Sequence, residues 1–243
     1  MARVTERDIR LIVKCASAQW LTTGQVQRIF FPDATLDAVR KRLRKLSEDG
    51  YIRSSQPHPM AELMHSIGRE GQVLLAERGL EVRTGGRMPE HLEHFIGIND
   101  IRVAVESSKW KVHYFFAHWE LGKLGWRQAV IPDAAFSVED THRLTVLTEF
   151  DRGTEGGEML RRKLAQYDWL QGTFRFDAVL VVADSEKLEA KLCRTLKALH
   201  RFKIAVCELQ RLLDEGVDAR LFSLPLSPDK VLLFELVDLS GAE

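Results

Sequence analysis

Between Thr35 and Glu48 the apolar residues Leu36, Val39, Leu43 and Leu46 recur on one stripe of a helix, while cations crowd the rest of its circumference. At about 100° per residue, the arc opposite that stripe holds Lys41, Arg44 and Lys45, and Arg40 and Arg42 sit on its shoulders. A helix so divided must lay a narrow seam on a small core and leave its charged arc in water. The chain is therefore expected to open with a small helical module that has a basic outer face.

The flanking sequence fills in that module. Ile9, Ile12, Val13 and Ala16 give residues 6–16 one apolar face. A capping threonine within Leu21–Thr23 precedes a short second helix that ends before Pro32. Gly50 stops the basic helix. Tyr51, Ile52 and Arg53 then alternate as a strand, residues 54–62 are rich in Ser, Pro and His, and residues 63–67 return as a second strand. A helix from Gly68 to Arg78 closes the module. Short helices, a tight turn, a basic third helix and the phrase Leu46-Ser47-Glu48-Asp49-Gly50-Tyr51-Ile52 resemble the winged helix-turn-helix of bacterial regulators. The resemblance implies binding of double-stranded DNA, with the third helix in the major groove. Arg40, Lys41, Arg42, Arg44, Lys45 and the wing residue Arg53 are the candidate contacts. Whether each would read bases or phosphates is left open by the sequence.

Charge agrees with this only when it is read locally. The formal net charge is zero, yet residues 1–55 contain eleven Lys or Arg against six Asp or Glu. A basic head on a balancing body is the expected pattern for a nucleic-acid reader. Cys15, Cys193 and Cys207 have no CxxC spacing, which argues against a disulfide framework or a structural zinc site and for reduced, buried thiols. No apolar run is long enough for a membrane span and no signal-peptide core opens the chain, so a cytoplasmic protein without a membrane role is expected.

Thr84, Gly85, Gly86 and Pro89 read as a linker between a first domain at 1–85 and a second at 90–243. The second domain begins with a helix over 91–106. Strands are expected at 112–121, 128–138 and 143–151, then a helix at 155–171 and a buried strand at 177–183. Further elements follow: a helix at 186–200, a strand at 203–207, a helix at 209–215, and strands at 219–224 and 231–237. The order αβββαβ predicts an α/β (α+β) class with a mixed central sheet.

Two strand ends concentrate carboxylates. Asp133 follows Pro132 on the second strand, and alternation puts Glu149 and Asp151 on one face of the third. If those strands pair, Asp133 and Glu149 converge, which suits a hard divalent cation such as Mg²⁺ or Mn²⁺. The pattern resembles the PD-(D/E)xK restriction-endonuclease-like fold, but Asp151 stands where that motif has lysine. Some members of that superfamily carry the basic group on the following helix, and Lys163 in Lys163-Leu164-Ala165-Gln166-Tyr167 occupies such a place, with Arg152 a weaker substitute. The resemblance implies Asp133, Glu149, Asp151 and Lys163 as catalytic residues, with Glu106 as a further metal ligand.

Nearly the whole chain is similar to the replication-relaxation family of plasmids and other mobile elements. The similarity rests on His94 through Glu106, Ile131-Pro132-Asp133-Ala134, Glu149-Phe150-Asp151-Arg152-Gly153-Thr154-Glu155, and Lys163 with Tyr167. It implies a role in replication, transfer or control of mobile DNA, with replication or transfer proteins as partners. Dimerisation, which lets readers of this kind engage paired half-sites, is specified by no heptad or apolar patch in the sequence.

Each sharp reading has an ordinary counterpart. Asp151, Arg152 and Glu155 can simply cap the following helix; Glu106 beside two serines can face solvent; Lys163 can be a surface cation. Trp110, Trp119, Trp126 and Trp169 read as core or interface aromatics because no basic cluster interleaves them. Gly153, Gly156 and Gly157 fit no nucleotide-binding spacing. Two functions therefore stay open: a metal-dependent DNA endonuclease or nickase, and a regulator whose nuclease-like domain has lost its chemistry.

Overall fold

A computed structural model describes residues 3–80, 87–154, 157–196, 202–225, 227 and 229–238, with the backbone alone for 157, 237 and 238. Thr84, Gly85 and Gly86 of the expected linker lie outside these residues. The chain divides into two units, Met1–Asn99 and Asp100–Glu243.

The first unit runs α1 (Glu6–Ser17), β1 (Leu21–Thr22), α2 (Thr23–Phe30), α3 (Leu36–Glu48), β2 (Ile52–Ser55), β3 (Met64–Ile67) and α4 (Arg69–Glu77). Three threonines open α1, α2 and α3. Asp8 N–H and Gln25 N–H donate to Thr5 and Thr22 at 3.3 and 3.2 Å, and the Asp8 and Gln25 side chains accept from the cap backbones at 2.7 and 3.0 Å. Thr35 caps α3 through Ala38 N–H at 3.3 Å. Gly50 ends that helix at φ 77°, a left-handed conformation that costs glycine little. The strands form an antiparallel sheet in the order β1-β3-β2, with Leu21 opposite His65 and Ile52 opposite Ile67. Leu11, Ile12, Cys15, Val26, Val39, Leu43, Leu46, Ile52 and Ile67 form the core beneath it. The two-residue β1, too short to show alternation, has no counterpart in the sequence reading.

The boundary falls within α5 (Leu92–Glu106), and the second unit continues with β4 (Lys111–Ala117), β5 (Ala134–Glu139), β6 (Arg143–Asp151), α6 (Gly157–Leu170), β7 (Ala178–Ala183), α7 (Glu186–Thr195), β8 (Lys203–Glu208), α8 (Leu209–Glu215), β9 (Phe222–Ser223), β10 (Lys230–Val231) and α9 (Glu235–Asp238). Seven strands form one mixed sheet in the order β10-β9-β8-β7-β6-β5-β4. The β4-β5-β6 part is antiparallel, and β6-β7-β8 is parallel. Parallel neighbours require crossovers, which α6 and α7 supply. All six residues of β7 are buried, as expected of a strand covered on both faces. Leu160, Leu164, Tyr167 and Leu170 form the inner stripe of α6 and pack with Leu147, Phe176, Val179 and Val181.

Three sequence expectations change. The strand expected to reach Leu121 stops at Ala117, where a 3₁₀ segment, His118–Leu124, takes over. Glu120 drives the switch by accepting from Ala117 N–H at 3.3 Å and pairing, buried, with Arg102. β5 begins at Ala134 rather than at 128. The strand expected at 231–237 is only β10; α9 follows because Glu235 reaches back to Leu232 N–H at 3.0 Å. Among the described residues, no helix is long and apolar enough to cross a membrane.

Candidate functional site

Pairing of β5 with β6 places Ala134 opposite Thr148, so Asp133 stands next to Glu149 at the end of that ladder. Asp133 is fixed twice: its carbonyl accepts from His118 N–H at 2.8 Å, and its Oδ2 accepts from Phe150 N–H at 2.8 Å. The side chain thus extends the backbone ladder by one rung. Because Lys163 and Tyr167 are four residues apart, α6 turns both toward the strand. Lys163 Nζ donates to Glu149 Oε2 at 2.5 Å and lies 3.9 Å from Asp133 Oδ1, while Tyr167 OH donates to Glu149 Oε1.

Burial grades across this group. Glu149 is 4% exposed and Tyr167 is fully buried, whereas the Asp133 and Lys163 side chains are 18% and 27% exposed. Water therefore reaches one side of it only. Burial and the neighbouring Asp133 charge push Glu149 up to about 8, against the pull of Lys163 and Tyr167. Burial, followed by the Glu149 charge, raises the Tyr167 phenol far above its ordinary value.

Of the residues singled out in the sequence, Asp133, Glu149 and Lys163 come together. Asp151 is half-buried at the end of β6 and accepts from Gly153 N–H at 2.7 Å, the short-range turn contact of a loop-forming aspartate. Glu106 faces Arg102, its Oε1 3.9 Å from the guanidinium. Among the described residues, no three His, Cys, Asp or Glu side chains are grouped to hold a metal ion. The donors that do converge are two carboxylates, each turning an oxygen toward the same ammonium. That pair suits a hard cation held by one or two carboxylates and completed by water or phosphate. Tyr167 was missing from the sequence-based candidates, although its i,i+4 spacing from Lys163 was a usable signal.

On α3, Arg40, Lys41, Arg44 and Lys45 are exposed. Lys41 pairs with Asp37 at 2.9 Å, and Lys45 lies 3.6 Å from Asp49. Arg42 turns back instead: its Nε donates at 2.9 Å to Asp8, which is 1% exposed. Burial pushes Asp8 up, but hydrogen bonds from Arg42 and Thr5 outweigh it and hold the carboxyl below its usual range. Arg53 is exposed on β2, its guanidinium 4.6 Å from the centre of the Trp20 ring. Of the tryptophans read as core or interface, Trp110 is buried, while Trp169 on α6 is 87% exposed.

The replication-relaxation family profile matches residues 15–179, which spans α2 through the start of β7 and includes Asp133, Glu149, Lys163 and Tyr167. This chain is a replication-relaxation protein. Membership suggests a role in the replication or transfer of plasmids or other mobile elements. Comparison with curated proteins and with solved structures returns no match.

Proposed function

We propose that this replication-relaxation protein binds double-stranded DNA through a winged helix in its first unit and cleaves phosphodiesters with a restriction-endonuclease-like second unit that uses Mg²⁺ or Mn²⁺. The observation carrying the nuclease reading is the reach of Lys163 from α6 to carboxylates on two adjacent strands. That supplies an acid, an acid and a base although the strand position after Glu149-Phe150 holds Asp151. The element order α5-β4-β5-β6-α6-β7, with β6 and β7 parallel, supports the same reading. For the first unit, support comes from the order α1-β1-α2-α3-β2-β3, the β1-β3-β2 sheet and the cations on the exposed arc of α3.

In this reading Asp133 and Glu149 hold the cation. Bound there, it supplies Lewis-acid polarisation of the phosphodiester and an activated water. Asp133 is positioned by its bond to Phe150 N–H, and Tyr167 fixes the Glu149 rotamer from the buried side. Lys163, on the more exposed side, stabilises charge that develops on the phosphate. Asp151 shapes the turn into α6.

Supercoiled plasmid incubated with the protein and Mg²⁺ or Mn²⁺ should be nicked or linearised, and Asp133→Asn or Glu149→Gln should abolish the cleavage while DNA binding persists. Retarded but uncleaved plasmid with either metal would overturn the nuclease reading. A second reading has its own support: both Glu149 oxygens already accept protein donors, and the residue is almost wholly buried. In that reading the chain is a regulator of replication, transfer or transcription, and the sheet unit serves homodimerisation or docking of replication or transfer proteins.

A further inference from the structure

The Lys163 ammonium lies where oxygens of Asp133 and Glu149 converge, 3.9 and 2.5 Å away. Two carboxylates this close repel each other, and their shared cation offsets that repulsion. The deeper carboxylate is also tied by Tyr167, so the acids are fixed and the cation is the movable partner. Lys163 differs from its neighbours in two ways. Its side chain is 27% exposed where that of Glu149 is 5%, and its charge sits on a flexible four-carbon stem that can swing outward without repacking the core.

From this we infer that Lys163 is a tethered counter-cation: it occupies the carboxylate pair in the resting protein, and a divalent cation must displace it. The inference rests on the proposed metal-ligand role of Asp133 and Glu149 and adds how the site is regulated. Displacement moves the ammonium from the acids to the water-facing side, where a phosphodiester would meet it. Loading the site thus delivers the positive charge that cleavage requires, and the unloaded site keeps it sequestered. Asp133 and Glu149 need not move, because their other oxygens stay bonded to Phe150 N–H and to Tyr167 OH.

Trace acetylation tests this without relying on cleavage. The full-length protein is treated with a small amount of isotopically labelled acetic anhydride, with and without saturating Mg²⁺, and labelling of Lys163 is read by peptide mass spectrometry against the exposed Lys41. In parallel, Mg²⁺ binding is measured by calorimetry for the wild type and Asp133→Asn. The expected result is Mg²⁺ binding that Asp133→Asn weakens, together with Lys163 labelling that rises several-fold on loading while Lys41 labelling stays constant. Asp133-dependent binding with Lys163 labelling unchanged or reduced would overturn the inference and leave the metal-ligand reading standing. Mg²⁺ binding that is absent, or indifferent to Asp133→Asn, would overturn both.

Discussion

At the scale of single residues, two buried ionisable groups in the first unit set its response to acid. His65, 2% exposed on β3, bonds Thr23 Oγ1 at 3.0 Å and Ser54 Oγ at 2.9 Å, and burial pushes it down to about 4. A depressed histidine favours the neutral form. Its contribution is present above the unfolded pKa of about 6.5 and is lost as pH falls toward 4, to a total on the order of 3 kcal/mol. Urea midpoints of the wild type should therefore drop between pH 6.5 and 4. The drop should be much smaller in His65→Gln, and a equal slope in the two proteins would remove His65 as its source. Asp8 acts lower on the scale. Its depressed carboxyl stabilises above its ordinary range, and that contribution fades as pH falls through the folded value. Arg42→Ala leaves this buried carboxylate its Thr5 bonds but no guanidinium, and should cost roughly 2–4 kcal/mol by chemical denaturation. A loss below about 0.5 kcal/mol, the level of an ordinary surface change, would mean that Arg42 is a solvent cation after all.

At the scale of elements, what the sequence revealed follows from which forces act locally. Apolar stripes and threonine caps are local, so α1, α2 and α3 were legible to within a residue or two. The contact of Asp133 with Glu149 followed from assuming that β5 and β6 pair, and that pairing is the one observed. What escaped depends on contacts between distant residues. Arg42 looked like one more cation on α3, and nothing near it announces Asp8, 34 residues earlier. Trp169 was read as a core or interface aromatic for want of a basic cluster around it, yet it is exposed and falls outside the inner stripe of α6 formed by Leu160, Leu164, Tyr167 and Leu170. The end of β4 combines a local bond, Glu120 accepting from Ala117 N–H, with the pairing of Glu120 and Arg102 across 18 residues, and only the first lies within a window around Ala117. For α3, replacing Lys41, Arg44 and Lys45 together by Ala should weaken duplex binding and reduce the slope of log K against log salt by up to about 3. An unchanged slope would assign the phosphate contacts to another surface.

At the scale of the whole molecule, the proposed function puts a binding head and a cutting body on one chain, which would raise the concentration of one function's substrate near the other. The triple α3 variant should therefore nick plasmid poorly at low protein concentration and approach wild-type rates when protein is in large excess, because the Asp133, Glu149 and Lys163 group is untouched. If cleavage stayed low at every concentration, α3 would have a part in the chemical step itself. Asp133 adds a consequence for comparing relatives. Its Oδ2 receives Phe150 N–H, so the side chain also locks the register of β5 against β6. If the proposed cleavage holds, a lineage that shed it would still be selected to keep an acceptor at this position, because the bond to Phe150 N–H joins the two strands. Under the proposed function the role of Lys163 lies in its charge, so drift at 163 beside a constant 133 would mark the branches in which the scissors have become a handle.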